Sequence, residues 1–272
     1  MKAALVGLAL ALLCTCAQAA PRRVPAFGHV VVIVLENKAR DRVLGNPAAP
    51  AFNAFASGGG VLSGYRGVTH PSLPNYLALV SGSTHGIASD CTRCVVSGPS
   101  LADTLEAKGL TWRTYAEGLP RPGWTGAGRR RYAKRHVPFL YFRRVLTRPA
   151  RLRRVVPLSQ FSTRRLPAFS LVVPDLCHDM HDCSVATGDA WLRRFVPPLL
   201  RLEGTVVFVV FDESDTVDPG VPALALGPLV RPASRFTPTM SHYGLLRTIE
   251  DGLGLTRLGR SARAAPVTGI WR

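Results

Sequence analysis

Three stretches of the chain are apolar without interruption, and each runs directly into polar residues. His29–Leu35 ends in Glu36-Asn37, Phe169–Val173 ends in Pro174-Asp175, and Thr205–Phe211 ends in Asp212-Glu213. Runs that are apolar on both faces predict buried strands of a central parallel sheet covered by helices. Helical patterns follow over 101–108, 189–202 and 243–253, and an apolar helix is expected behind Ser72. This alternation predicts an α/β fold with a mostly parallel sheet. Open sheets of that kind bind ligands beyond the carboxyl ends of their strands. Three of these strands deliver acidic or amide side chains there. No internal repeat and no linker interrupts the pattern.

The N-terminus has a different pattern. Lys2 precedes an apolar run from Ala3 to Leu13, followed by Ala17-Gln18-Ala19. A charged start, a short apolar core and a small-residue cleavage site predict a signal peptide over 1–19 and an exported mature chain, 20–272, forming a single domain. The run is shorter than the roughly 20 residues that span a bilayer, which argues against an anchor. Cys14 and Cys16 lack the small preceding residue of a lipid-attachment cysteine. The mature chain would keep Cys91, Cys94, Cys177 and Cys183. An even count in an exported protein reads as disulfides, with the local pairing Cys91–Cys94 and Cys177–Cys183 favoured. A four-thiolate zinc site is the rival, and its spacing fits poorly.

Charge sharpens the picture. The chain has 34 basic residues against 17 acidic ones, a net +17, and all but four of the basic residues are Arg. From Arg113 to Arg165 fifteen basic residues face one acid, Glu117. The segment, with Gly123, Gly126 and Gly128, reads as an irregular Arg-rich insertion. It is either a biased exposed loop or one wall of an entrance that attracts anionic substrates or an anionic membrane. No aromatic-interleaved signature points to nucleic acid.

Four clusters carry chemistry. Glu36-Asn37 offers hard oxygen ligands for a divalent cation, or is an ordinary polar strand end. Ser72 stands at the expected N-cap of its helix, with Pro74 in the first turn. It is either a cap or a nucleophile at the positive end of a helix dipole, where phosphate binds. Asp175, His178, Asp179, His181 and Asp182 crowd one loop, as ligands, proton donors or a solvated acidic turn. Asp212-Glu213, with Asp215 nearby, follows the strongest apolar run. His242 precedes the last helix and gains weight only from this company.

In this order, the stretches Val34-Leu-Glu-Asn37, His70-Pro-Ser-Leu-Pro-Asn-Tyr-Leu77, Asp179-Met-His-Asp182, Phe211-Asp-Glu213 and Ser241-His-Tyr243 resemble the phosphoesterase family of the alkaline-phosphatase superfamily. Supporting stretches are Ser83-Thr-His-Gly86, Tyr132-Ala-Lys-Arg-His-Val-Pro-Phe139, Gly188-Asp-Ala-Trp191 and Pro266-Val-Thr-Gly-Ile-Trp271. The resemblance is strongest to bacterial secreted acid phosphatases, including the kind acting on phosphatidylinositol 3-phosphate, and covers nearly the whole mature chain. It implies an alkaline-phosphatase-like α/β fold and a metal-assisted phosphomonoesterase working through a phosphoseryl intermediate. By resemblance, Glu36, Asn37, Ser72, Asp212 and Glu213 would hold a divalent metal, with Ser72 also the nucleophile. Members vary at the position of Glu213. His181 and His242 would bind phosphate, move protons or hold a second metal, while Asn75, His85, Asp90 and Asp179 would face the substrate. The metal stays open among Mg, Ca, Mn and Zn. Expected partners are phosphorylated small molecules or phosphoinositide lipids, with peripheral contact to anionic membranes and no obligate protein partner. A phosphodiesterase of the phospholipase C type is the alternative, and a non-catalytic basic binding protein is a weaker one.

Overall fold

The structure, a computed structural model, describes residues 24–272. The signal-peptide expectation for 1–19 lies outside the described residues. Among these, no helix is long and apolar enough to cross a membrane.

An eight-stranded sheet runs in the order Ser234–Phe236, Gly60–Leu62, Ala223–Leu226, Thr205–Phe211, His29–Leu35, Phe169–Val173, Trp112–Ala116, Val155–Pro157. Only Ala223–Leu226 runs against the rest. The three apolar runs are the three central strands, with the boundaries read from the sequence. Nearly every residue in them is buried, so both sheet faces are covered. Helices pack in two pairs, Ser72–Ser81 with His242–Leu253 and Pro50–Gly58 with Val185–Phe195.

Parallel register decides what emerges at the sheet's carboxyl edge. Leu35 pairs with Phe211, so Glu36 and Asp212 leave adjacent strands side by side. The Asp212 N–H donates to the Leu35 carbonyl at 3.1 Å. On the other flank Ile33 pairs with Val172, and the loop beyond Val173 returns so that the Asp179 carbonyl accepts the Glu36 N–H at 2.8 Å. The central strand thus has a loop carrying acidic residues on either side, the geometry that opens a crevice in such sheets.

Two expectations are corrected. The helix expected over 189–202 is Val185–Phe195. Ser184 caps it by accepting the Thr187 N–H, and Pro197-Pro198 end it, since neither proline has an N–H to continue the helical hydrogen bonds. The Arg-rich segment is not an exposed irregular loop. Most of it is the crossover between the parallel strands Trp112–Ala116 and Val155–Pro157, and Val137, Phe139, Leu140, Tyr141, Phe142 and Val145 are wholly buried in the core. Its arginines sit on a framework anchored by those apolar residues. Both local disulfides, Cys91–Cys94 and Cys177–Cys183, are present.

Candidate active site

Ser72 opens the helix Ser72–Ser81, with Pro71 in the capping position. The expected N-cap role is therefore corrected. Ser72 Oγ makes no cap bond and instead donates to Glu36 Oε2 at 2.9 Å, with Glu213 Oε1 at 3.4 Å. The helix start is served by Asp90, whose Oδ1 accepts the Leu73 N–H at 2.9 Å. A carboxylate thus occupies the place beside the helix terminus where the sequence expected substrate phosphate, as suits the positive end of a helix.

Around Ser72 the carboxylates converge. Asp212 Oδ1 accepts the Asn37 N–H at 3.1 Å. Asn75 clamps the turn before the helix: its Oδ1 accepts the N–H groups of Val68 and Thr69, and its Nδ2 donates to the Thr69 carbonyl. On the far side of Glu36 lies His136, buried, 3.4 Å from Glu36 Oε2 and 3.5 Å from Asp179 Oδ2. Tyr76 donates to Glu36 Oε1 and stacks its ring on His136.

This crowding has an electrostatic consequence. Glu36 is raised far above the usual carboxylate range, first by burial and then by the charges of Asp212 and Asp179. Asp212 is pushed up to about 8 by burial and by Glu213. Burial carries Asp179 to about 7, and burial with the Asp90 charge carries Glu213 to about 7. His136 is driven well below its ordinary value by burial, then by Arg135 and His181. Four buried carboxyls crowded together cannot all ionise unaided.

The residues fit a divalent cation. Among the buried polar atoms left without a hydrogen-bond partner are Asp212 Oδ2, Asp179 Oδ2 and His136 Nε2, all in this cluster. Glu36, His136 and Asp179 present ligand atoms within 4.8 Å of one another. Oxygen-rich donors with one imidazole suit a hard or borderline divalent ion.

The remaining predicted residues divide. His181 sits at the rim, its Nδ1 2.7 Å from Asp182 Oδ1 and its Nε2 3.5 Å from the Arg135 guanidinium. Arg135 also reaches Asp90 Oδ2 at 3.4 Å. His242 is buried with both ring nitrogens engaged: Nε2 lies 2.6 Å from the Asp212 carbonyl and Nδ1 2.8 Å from the Tyr65 hydroxyl. Burial lowers it to about 4, so it is neutral and braces the Asp212 turn from behind. His85 is not brought to the site. Its Nε2 meets Ser81 Oγ at 2.8 Å, at the opposite end of the helix from Ser72, roughly 13 Å away along its axis. Asn37 supplies its backbone N–H and borders an open cleft of about 710 Å³ with His70, Glu213 and Asp215. His70 Nδ1 lies 2.8 Å from Glu213 Oε2.

Sequence reasoning gave no role to His136, Tyr76 or Tyr65. His136 and Tyr76 lie in stretches that carried the resemblance. No spacing rule links His136 to Glu36, one hundred residues earlier.

An eight-stranded, mostly parallel sheet with a serine among buried carboxyls at its carboxyl edge is an alkaline-phosphatase-like fold. The chain belongs to the phosphoesterase family, whose model matches residues 46–256. It is 37% identical over 258 residues to a phosphatidylinositol-3-phosphatase of Mycobacterium tuberculosis, covering 91% of this chain and 84% of that one. It is 29% identical to a probable acid phosphatase of Kluyveromyces lactis, covering 90% of this chain and 62% of that one. A Vibrio parahaemolyticus protein of the alkaline phosphatase superfamily superposes with a TM-score of 0.61 at 13% identity, covering 91% of this chain and 72% of that one.

Proposed function

We propose that the protein is an exported acid phosphomonoesterase that works through a phosphoseryl intermediate on Ser72, with phosphoinositide headgroups as its substrate class. The observation that carries this reading is the Ser72 hydroxyl, 2.9 Å from Glu36 Oε2 inside a cluster of buried carboxyls at the sheet edge. The similarity to a phosphatidylinositol-3-phosphatase and to an acid phosphatase supports the monoester and the lipid headgroup. The two disulfides support export to an oxidising compartment.

Glu36, Asp212, Glu213 and Ser72 would hold a divalent cation, with His136 and Asp179 available beside them. Once bound, the cation would supply positive charge against the phosphoryl oxygens and favour the ionised serine. The chain's own groups do the rest. Glu36 Oε2 receives the Ser72 proton as Oγ attacks phosphorus and the bond to the ester oxygen breaks. His181, oriented by Asp182, gives its Nε2 proton to that leaving oxygen. His181 then takes a proton from water as the water oxygen attacks phosphorus. The Oγ–P bond breaks, and Ser72 recovers its proton from Glu36. His181 is favoured over His242 because its ring lies at the rim, whereas both nitrogens of His242 are bound inside.

The test is initial rates on p-nitrophenyl phosphate and bis-p-nitrophenyl phosphate, from acid to alkaline pH, with and without chelator. A faster chelator-sensitive rate on the monoester is expected, strongest at acid pH. A faster rate on the diester would replace this reading with a phosphodiesterase, and no rate on either would remove it.

A further inference from the structure

We propose that the tip Arg129–Arg131 is a second anion subsite, which binds a phosphate group of the substrate other than the one attacked at Ser72. The inference rests on the phosphomonoesterase reading and names the kind of substrate it acts on: a compact polyol carrying a phosphomonoester and a second phosphate.

The tip is built, not loose. Gly128–Arg129 pairs antiparallel with Tyr132–Ala133, and Arg130 turns the corner at φ 53°, a left-handed conformation that arginine seldom adopts. Strain of this kind gathers at functional sites. Tyr132 anchors the hairpin in the core, against Trp124 at 5.4 Å, and Gly118 leaves room for it. The Arg131 carbonyl accepts the Leu176 N–H at 3.0 Å, which fixes the tip to the loop closed by Cys177–Cys183.

The three side chains frame a cavity of about 440 Å³ together with Gly118 and Asp175. None of the three makes an ion pair or a side-chain hydrogen bond among the described residues. Arg135, Arg144, Arg151, Arg154, Arg247 and Arg257 all have acidic partners. Asp175 is the one acid in the lining, and it is engaged elsewhere. Its Oδ1 accepts the N–H groups of Cys177 and His178 and lies 3.6 Å from His178 Nδ1. The cavity therefore presents three guanidinium groups against one carboxylate whose Oδ1 is engaged by its own loop, a donor array suited to phosphate oxygens.

Its position matters as much as its charge. The Asp179 N–H donates to the Asp175 carbonyl at 2.8 Å, and the Asp179 carbonyl accepts from Glu36 at 2.8 Å. A single turn of chain, Asp175–Asp179, thus walls the arginine cavity at one end and the catalytic cluster at the other. A substrate with its monoester at Ser72 and a second phosphate in the arginine cavity would lie across this turn. Small monoesters such as p-nitrophenyl phosphate reach only the first.

The test is the triple variant Arg129→Gln, Arg130→Gln, Arg131→Gln in the mature protein, alongside Arg130→Gln alone in case the triple change disturbs folding. Three soluble substrates are compared: p-nitrophenyl phosphate, inositol 3-phosphate, and glycerophosphoinositol 3-phosphate, which adds a diester phosphate. The KM for the two-phosphate substrate should rise by about tenfold with kcat unchanged, and the single-phosphate substrates should change by less than about twofold. A fourth arm presents phosphatidylinositol 3-phosphate in phosphatidylcholine vesicles with and without phosphatidylserine. If only the phosphatidylserine vesicles distinguish the variants, the arginines serve membrane attraction and the subsite is overturned. Equal KM changes on all three soluble substrates overturn it too. Should the wild type hydrolyse no monoester, the phosphatase reading fails, and calorimetric binding of glycerophosphoinositol 3-phosphate still decides the subsite. Unchanged affinity in the variants would refute it.

Discussion

Ser72 and its neighbours divide the labour at the helix start. Asp90 satisfies the Leu73 amide, so the serine oxygen is left to Glu36 and Glu213. Ser72→Ala should therefore lower turnover by at least about a thousandfold with little loss of fold. Steady-state rates and a thermal melt check both, and a variant that keeps more than a few per cent of the rate places the nucleophile elsewhere. Asp90→Ala should cost about 1 kcal/mol in denaturant unfolding, the ordinary value of a lost cap, and Asp90→Asn should recover much of it. His136 carries a different prediction. With Asp179 it leaves unpartnered donor atoms in a dry cluster beside Glu36. His136→Phe should lower bound metal on purified protein, read by mass spectrometry, and retained full occupancy would take His136 out of the metal environment.

At the scale of elements, two closures hold the site loops in place. The six-residue separation between Cys177 and Cys183 closes the loop that carries Asp179 and His181. Chain-entropy arithmetic gives such a short ring about 2 kcal/mol. Replacing both cysteines by serine should lower the unfolding free energy by that amount and lower activity, whereas four free thiols in exported material would show that the bridges do not form there. The other closure ties the Arg-rich crossover to helix Leu101–Ala107. Arg151, nearly buried, donates to Asp103 Oδ1 and Glu106 Oε2, both at 2.8 Å. Arg151→Met removes the shortest ion pair of each acid and leaves Asp103 with Arg144 at 3.6 Å and Glu106 with Arg154 at 3.3 Å. Urea unfolding should report a loss of about 2–3 kcal/mol, less than for a fully buried pair because Glu106 is partly solvated.

Across the whole molecule, buried carboxyls set the pH response. Glu250, in helix His242–Leu253, accepts the Leu258 N–H at 2.8 Å and the Ser261 hydroxyl at 2.5 Å and lines a cavity separate from the cleft beside Glu213. Burial raises it from 4.5 to about 7. Between those values the folded state keeps a proton that the unfolded chain has released. Stability from this group is therefore complete below about pH 4.5, falls as pH rises, and is lost by about pH 7. Glu250→Gln should flatten the decline of the melting temperature across that window, and an unchanged slope would show that Glu250 ionises normally. The carboxyls around Ser72 add the same trend in metal-free protein. A cation binding there displaces their protons, so titrating metal into chelated protein in weak buffer at neutral pH should release protons.

The amino-acid sequence by itself determined the three central strands, because residues buried on both faces must be apolar whatever surrounds them. It also determined the acids at their ends, Glu36, Asp212 and Glu213, since a polar residue directly after such a strand has only the sheet edge to occupy. The local disulfides were legible because each depends on a few neighbouring residues, whereas the local reading of Ser72 as an N-cap was corrected. Helix ends were less so, as Val185–Phe195 shows, where Ser184 and a proline pair overrode the apolar pattern. Tertiary structure alone decided the rest. Parallel register sets Leu35 beside Phe211 and so Glu36 beside Asp212. Chain crossing brings His136 between Glu36 and Asp179 and turns His242 inward onto the Asp212 carbonyl. Those outcomes depend on contacts between residues from thirty to more than a hundred and seventy positions apart, or on which way a ring turns, and neither is encoded in local spacing. A histidine's role is set by what its two nitrogens meet, and only the folded chain fixes that.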